Sequence, residues 1–218
     1  MNVKKLLAYS TAASALLVGN LAMASADGKL SASATVSNAY LWRGIDLGQG
    51  AAAVSGDLIY SMAGAYGGVW MSSGDSGNGQ EYDLFAGYNA KVGDVVTLDL
   101  SVWNYNYSDL NQRNDTTGEL SEVVLSVSAY GANISILDNV AGAPGYYYYT
   151  FGYGMNDVSA KLGFHSFDND NDNMTHFDVS YAYNDNLSFT VSKVVDEEVE
   201  GTYDNDPIFQ VSYKLPIK

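Results

Sequence analysis

Short stretches in which apolar and polar residues alternate recur along the chain after about residue 30. In the clearest one, every second position from 96 to 102 is apolar and every residue between is polar: Val96, Leu98, Leu100 and Val102 alternate with Thr97, Asp99 and Ser101. Successive side chains of a strand point to opposite faces, so this period of two predicts strands with one apolar face. Twelve strands are predicted, at about Ser31–Arg43, Ala52–Met62, Tyr66–Ser72, Glu81–Ala90, Val95–Tyr107, Ser121–Tyr130, Asn133–Leu137, Tyr146–Tyr153, Val158–Phe167, Met174–Tyr183, Leu187–Val194 and Ile208–Leu215.

The connections between these strands are alternately short and long. Tight turns near residues 63–64, 92–94, 131, 154–156 and 184–186 alternate with polar loops at 44–50, 74–80, 108–120, 138–145, 168–173 and 196–207. An up-and-down barrel with both termini in the periplasm has this alternation, whereas a Greek-key sandwich gives no reason for it. We therefore predict an all-β fold, a transmembrane antiparallel up-and-down β-barrel of about twelve strands with short periplasmic turns and longer extracellular loops.

Aromatic residues are expected to form two girdles at the membrane interfaces, where amphipathic rings are stable. With the predicted topology, one set falls near the outer strand ends: Tyr40, Trp42, Trp70, Trp103, Tyr105, Tyr146 and Phe164. A second set falls near the periplasmic ends: Tyr60, Tyr66, Tyr88, Tyr130, Tyr153, Tyr183 and Tyr213.

The first 26 residues have the features of an export signal. Lys4 and Lys5 precede an apolar run, and Ala24-Ser25-Ala26 fits a cleavage site. We expect residues 1–26 to be a signal peptide and residues 27–218 to be a single barrel domain in the outer membrane. The formal charge of −15 argues against a nucleic-acid partner, and the lack of cysteine excludes disulfides and thiolate metal sites.

Two segments resemble the TorF-type porins of Gram-negative bacteria. The matching features are the Tyr-Leu-Trp-Arg-Gly-Ile run at 40–45, Gly-Val-Trp at 68–70, and Glu-Tyr-Asp-Leu-Phe-Ala-Gly-Tyr at 81–88. The resemblance covers about the first third of the chain after residue 26. It implies an outer-membrane barrel and a channel, and it carries no catalytic residues to this chain.

The polar faces of the strands carry ionisable residues, which are predicted to line the lumen because Lys or Arg in lipid costs about 2–4 kcal/mol near the midplane. A wet channel and a plugged lumen with paired charges are both compatible with this pattern. Arg43 is expected to pair with Asp57 or Asp83, or else to contact solute at a constriction. The candidate pore-lining residues are Arg43, Asp57, Glu81, Asp83, Asp99, Glu122, Lys161, His165, His176, Asp178 and Lys214.

Acidic residues in the lumen and the outer loops predict a pore that prefers cations, because acidic mouths concentrate them. The expected function is passive diffusion of small hydrophilic solutes. The alternative is a non-conducting surface receptor, adhesin or structural protein that acts through its loops. The loop acids are Asp168, Asp170, Asp172, Asp196, Glu197, Glu198, Glu200, Asp204 and Asp206.

Catalysis and metal binding have weaker support. His165 and His176 are the histidines of the chain, and no serine lies in a nucleophile-elbow pattern, so an enzyme is not expected. If Phe167 pairs with Met174, the histidines lie opposite each other. Weak metal-ligand candidates are then His165, His176, Asp168, Asp170 and Asp172. No cofactor is expected; outer-membrane lipid and lipopolysaccharide are the expected partners besides solutes, and a homo-oligomer is left open.

Overall fold

The computed structural model describes residues 27–108, 118–168 and 172–217, and the predicted signal peptide and Asp170 lie outside these residues. Fourteen strands are present in the described part. They are β1 (Lys29–Ser37), β2 (Leu41–Trp42), β3 (Ile45–Asp46), β4 (Ala53–Met62), β5 (Ala65–Asp75), β6 (Gly79–Val92), β7 (Val96–Tyr107), β8 (Ser121–Ala129), β9 (Ala132–Ala141), β10 (Tyr146–Met155), β11 (Val158–Phe167), β12 (Met174–Ala182), β13 (Leu187–Glu197) and β14 (Ile208–Lys214).

Twelve of these strands form a closed antiparallel barrel, as the sequence predicts. Each strand from β4 to β14 pairs with its neighbour in the chain, and β1 closes the ring by pairing with both β4 and β14. The remaining two, β2 and β3, pair only with each other, in a short hairpin between β1 and β4. Among the described residues, none forms a helix long and apolar enough to cross a membrane.

The connections differ in part from the predicted alternation. At one end, here called the inner end, tight turns join the strands, for example at 63–64 and 130–131. At the opposite, outer end, the connections at 38–52 and 198–207 are longer, and the stretches 108–120 and 168–173 between strands contain residues outside the described part. Two outer connections are short, 76–78 and 142–145, because β5, β6 and β9 extend beyond their predicted ends.

The first strand ends earlier than predicted. It stops at Ser37 and not at Arg43. The reason is that the side chain of Asn38 bonds to the main chain of β14, where a further strand residue would otherwise pair. The Asn38 side chain donates to the Phe209 carbonyl at 3.0 Å and accepts from the Val211 amide at 2.6 Å. The chain beyond Asn38 then leaves the wall, which frees residues 41–46 to form the hairpin.

The outward face of the barrel is apolar, as contact with lipid requires. Of the predicted inner-end girdle, Tyr66 alone turns into the lumen, and the other tyrosines are exposed on the outside or at a turn. The predicted outer girdle is wrong for all but Phe164. The other six rings are buried in the barrel interior: Tyr40, Trp42, Trp70, Trp103, Tyr105 and Tyr146.

The barrel interior therefore has two parts. The outer half is filled by buried aromatic side chains, for example Phe85 stacked on Trp103 with ring centroids 4.3 Å apart. Elsewhere on the inner wall, small hydroxyl groups pair between neighbouring strands, such as Ser37 with Ser212 at 2.9 Å. The packed part positions the charged residues, and the hydroxyl-rich wall borders an open cavity.

Candidate functional site

The hairpin β2–β3 projects its tip into the packed outer half of the barrel. Its two turn residues, Arg43 and Gly44, have φ angles of 44° and 87°, as in the tight turns that best match the twist of a hairpin. Gly44 is required for two reasons. Besides the positive φ, a Cβ at this position would lie 2.6 Å from the Cβ of His176 on β12. The tip of the hairpin is thus fitted against the barrel wall.

Arg43 holds the hairpin through its side chain. Its two terminal nitrogens donate to the two carboxylate oxygens of Glu122 on β8, at 3.1 and 2.6 Å, and one also donates to the Tyr146 hydroxyl at 2.9 Å. Tyr105 donates to the same carboxylate at 2.8 Å. Both side chains of the ion pair are almost completely buried, at 0% and 1% exposure. The expected pairing of Arg43 with Asp57 or Asp83 is therefore wrong.

His165 on β11 binds the hairpin through its main chain. Its Nε2 lies 2.8 Å from the Arg43 carbonyl oxygen, and its Nδ1 lies 3.1 Å from the Tyr146 hydroxyl. An imidazole protonated on Nε2 satisfies both bonds, because it donates to the carbonyl and accepts from the tyrosine. Arg43, Tyr146 and His165 thus form a closed cycle of hydrogen bonds around the hairpin tip.

His176 is oriented by a second network. Its Nδ1 lies 2.8 Å from Asp178, and its Nε2 lies 2.8 Å from the Tyr148 hydroxyl. Asp178 also accepts from Ser192 and forms an ion pair with Lys161 at 2.9 Å. An imidazole between a carboxylate and a hydroxyl could move a proton, but His176 is fully buried and has no contact with solvent. The network therefore fixes the ring of His176, the part of the barrel wall against which Gly44 packs.

The register of the two histidines differs from the prediction by two residues. His165 pairs with Met174, and His176 lies opposite Gly163. The rings are nevertheless neighbours, with centroids 6.0 Å apart. Their ring nitrogens are engaged by Tyr146, Arg43, Asp178 and Tyr148, and within the described ranges no group of three or more His, Asp and Glu side chains is arranged to hold a metal ion. Asp168 is exposed and Asp172 is buried in its loop.

The other acids of the outer half are also buried. Glu81 accepts hydrogen bonds from Tyr40 at 2.5 Å and Tyr107 at 2.9 Å, and Asp83 lies two residues further along the same inner face of β6. Both side chains are at most 2% exposed. The acids at these positions face the lumen, as the alternation predicts, but they are sealed beneath the hairpin and tyrosine side chains. They are not in contact with solvent in this structure.

A cavity of about 510 Å³, bordered by many hydroxyl and amide side chains, occupies the other side of the barrel. It runs along the inner faces of β1, β4, β13 and β14, from exposed residues such as Lys29 and Lys214 at the inner end. It closes at the outer end against Ala39, Tyr40 and Trp70, which are buried. The cavity is therefore open at the inner end and blocked by the segment that carries the hairpin.

The predicted lumen residues fall into three groups: those that line the cavity, those that are half-buried, and those in the packed outer half. Asp57, which accepts a hydrogen bond from Ser33, and Lys214 line the cavity. Asp99 is half-buried and accepts from Tyr66 at 2.9 Å, and Lys161 is half-buried beside Asp178. The remaining residues lie in the packed outer half: Arg43, Glu81, Asp83, Glu122, His165, His176 and Asp178.

Sequence reasoning missed four tyrosines that hold these charged groups: Tyr105, Tyr107, Tyr146 and Tyr148. A signal was present for Tyr105, which lies three residues after Val102 and therefore on the face opposite the apolar set Val96–Val102. The same alternation placed His165 inward, and Tyr148 is its partner in the β10–β11 register. For these tyrosines, the alternation of inward and outward side chains along the strand decides the direction of the ring. It outweighs the preference of aromatic rings for the membrane interface.

Comparison with solved structures finds chains of low sequence identity. Outer membrane phospholipase A from Escherichia coli is 12% identical, with a TM-score of 0.43, over 85% of this chain and 87% of that one. Acinetobacter baumannii OccAB3 is 8% identical, with a TM-score of 0.41, over 76% and 55%. Pseudomonas aeruginosa OprD is 11% identical, with a TM-score of 0.40, over 85% and 66%. The chain thus spans about half the length of OccAB3.

No protein with a curated description matches the sequence. One family profile does match, over residues 22–207, which is most of the chain. The chain therefore belongs to the Gcw_chp family, described as bacterial proteins of unknown function.

Proposed function

We propose that this protein is an outer-membrane porin for passive diffusion of small hydrophilic solutes, in which the cavity along β1, β4, β13 and β14 is the solute route. The observation that carries the proposal is this cavity of about 510 Å³, lined by many hydroxyl and amide side chains, which reaches from the open inner end to the base of the hairpin. An apolar outward face on a closed barrel supports a membrane location. The resemblance of residues 40–45 and 81–88 to TorF-type porins agrees with it.

The hairpin β2–β3 acts as a gate in this proposal. Tyr40, directly before the hairpin, closes the outer end of the cavity, and the Leu47 amide donates to the Tyr40 carbonyl at 2.9 Å. Movement of residues 40–52 toward the outside, with Asn38 still bonded to β14, would connect the cavity to the outer surface without breaking any strand pair of the barrel wall. The structure corresponds to the closed form, held by the Arg43–Glu122 ion pair.

The preference for cations rests on the outer loops alone. The buried acids of the lumen cannot attract ions while the hairpin is seated, and the charged residues that line the cavity are two lysines and two aspartates. The outer mouth, by contrast, exposes Asp168, Asp196, Glu198, Glu200, Asp204 and Asp206. These carboxylates would raise the local concentration of cations and repel anions.

The sealed outer half supports one other function. A barrel that never opens would act as a non-conducting receptor or structural protein through its acidic loops. Single-channel recording of the refolded mature chain in a planar bilayer, under a potassium chloride gradient, separates the two functions. The porin gives discrete openings with a cation-selective reversal potential, whereas a folded, heat-modifiable barrel with no openings would support the receptor.

A further inference from the structure

The lining of the cavity is rich in groups that both donate and accept hydrogen bonds. Ten serine and threonine hydroxyls border it, together with the side-chain amides of Asn184, Asn186 and Gln210. A hydroxyl offers one donor and two acceptor sites, and an amide offers two of each. A solute whose own groups are hydroxyls matches such a wall at many orientations, whereas a solute with a full charge finds few counter-ions there.

The charges at the cavity are balanced and lie mainly at its mouth. Lys29, Lys214 and Asp185 are exposed at the inner end. Of the described residues that line the cavity, Asp57 is the one charged residue that lies deeper than the mouth. It pairs across the sheet with Ser33 on β1 and Trp70 on β5. Ser33 donates to one oxygen of its carboxylate, which leaves further lone pairs to accept from a solute. Balanced charge gives the cavity itself little selectivity between cations and anions, so the proposed preference for cations comes from the outer loops and not from this wall.

Two aromatic rings lie at the closed end. Tyr40 and Trp70 border the cavity there, with ring centroids 6.2 Å apart and planes tilted by 35°. The C–H faces of a sugar ring pack on aromatic rings while its hydroxyls form hydrogen bonds at the edges, and pockets with a few placed polar groups bind ligands in this way. A volume of about 510 Å³ lies within the usual range for small-molecule sites.

We infer that the cavity binds a neutral polyhydroxylated solute, such as a mono- or disaccharide, between Asp57 and the Tyr40–Trp70 pair. This inference rests on the proposed function, in that the cavity is taken as the solute route. It names the class of solute that the route selects. Asp57 accepts from two hydroxyls, the serines and threonines complete the hydrogen bonds, and the two rings cover one apolar face of the sugar.

Binding can be measured on the closed protein, because the cavity is open at the inner end. The mature chain is refolded in octyl tetraoxyethylene micelles, whose head group is neither a sugar nor an amine. Tryptophan fluorescence is then followed while glucose, maltose, choline or gluconate is added. Glucose or maltose is expected to give a saturable change. The change should disappear in Trp70→Phe and persist in Trp103→Phe, whose ring lies outside the cavity.

The role of the carboxylate is tested by Asp57→Asn, which is expected to raise the half-saturating sugar concentration at least tenfold. Asp94→Asn, in an exposed inner turn outside the cavity, should leave it unchanged. Saturation by choline without a response to sugars would overturn the inference in favour of an organic cation. A response that persists in Trp70→Phe, or no response to any probe from a folded barrel, would also overturn it. Sugar binding by a barrel that never conducts would refute the porin and leave the site standing.

Discussion

The guanidinium of Arg43, at the tip of the hairpin β2–β3, forms a bidentate ion pair with Glu122 on β8, and neither side chain is in contact with solvent. The two residues are 79 positions apart in the chain. Their pairing joins a segment that leaves the wall after β1 to a strand on the opposite side of the barrel. The stability of the closed form depends on this pair, because each charge would otherwise be buried alone.

Loss of one partner of this pair is expected to release the hairpin. Glu122→Gln leaves the Arg43 charge buried without its counter-ion, and breaking a buried pair in this way costs about 3–5 kcal/mol. The open probability in planar bilayers should rise a hundredfold or more, while the folded barrel keeps its heat-modifiable mobility. An unchanged open probability in a folded Glu122→Gln barrel would show that the pair does not hold the gate.

The double variant Arg43→Met with Glu122→Met is the matched control for that experiment. Replacement of both charges by apolar side chains of similar size is often neutral, because no unpaired charge remains. The open probability should therefore return toward that of the unaltered protein, and single-channel recordings of Arg43→Met, Glu122→Met and the double variant complete a double-mutant cycle. Openings as frequent as in the single variant would indicate general damage to the packed half and not loss of the ion pair.

A reversible tether should keep the hairpin seated. An ideal Cβ on Gly74 would lie 3.0 Å from the Cβ of Tyr40 and 2.5 Å from the Cβ of Ala53. The Cβ atoms of a disulfide lie about 3.5–4.5 Å apart, so the bridge forms once the main chain at residue 74 shifts away from both neighbours. The chain has no cysteine, so Tyr40→Cys with Gly74→Cys would form the one possible bridge. Oxidation should lower the open probability at least tenfold, and reductant should restore it. Either single variant is the control, and equal conduction in both redox states would contradict a moving hairpin.

The charge of the 198–207 connection should set the ion selectivity. Replacement of Glu198, Glu200, Asp204 and Asp206 by their amides removes four exposed negative charges from the outer mouth. The reversal potential in a potassium chloride gradient should move toward zero, and the effect should weaken at high salt because exposed charges are screened. Amides at Asp94 and Asp157, in exposed inner turns, should have no effect. A shift of equal size in that control would locate the selectivity elsewhere.

The barrel wall could be predicted from the sequence because its pattern is local. The set from Val96 to Val102 identifies one face of β7 without knowledge of any other strand. The same parity predicts the inward direction of Glu122, His165 and Asp178, which the structure places on the inner face. The same alternation also predicts that Trp103 and Tyr105 point inward, and both are buried. The girdle prediction was wrong for these residues because it considered only their distance from the strand end and not the face on which they lie.

The hairpin could not be predicted because the signals that define it are not local. An apolar run from Ala39 to Trp42 begins just after β1, so the segment resembles the end of a longer strand. The Arg43-Gly44 turn is a weak hairpin signal that becomes meaningful only with the positive φ angles of both residues. The partner of Arg43 depends on closure of the barrel, which brings β8 opposite the hairpin. No spacing in the sequence selects Glu122 over the other lumen acids.

The most direct test of the gate compares two glycines of the same connection. Gly44 and Gly50 have φ angles of 87° and 84°, so alanine imposes similar backbone strain at both. A Cβ on Gly44 meets His176, whereas a Cβ on exposed Gly50 meets nothing within 4 Å. Only Gly44→Ala should therefore prevent the hairpin from seating.

The decisive measurement is the single-channel conductance of Gly44→Ala and Gly50→Ala beside the unaltered protein, each refolded and shown to be heat-modifiable. The account predicts long-lived cation-selective openings for Gly44→Ala, and mostly closed channels with brief openings for Gly50→Ala and the unaltered barrel. Folded Gly44→Ala barrels that remain as closed as the Gly50→Ala control would contradict a porin gated by this hairpin.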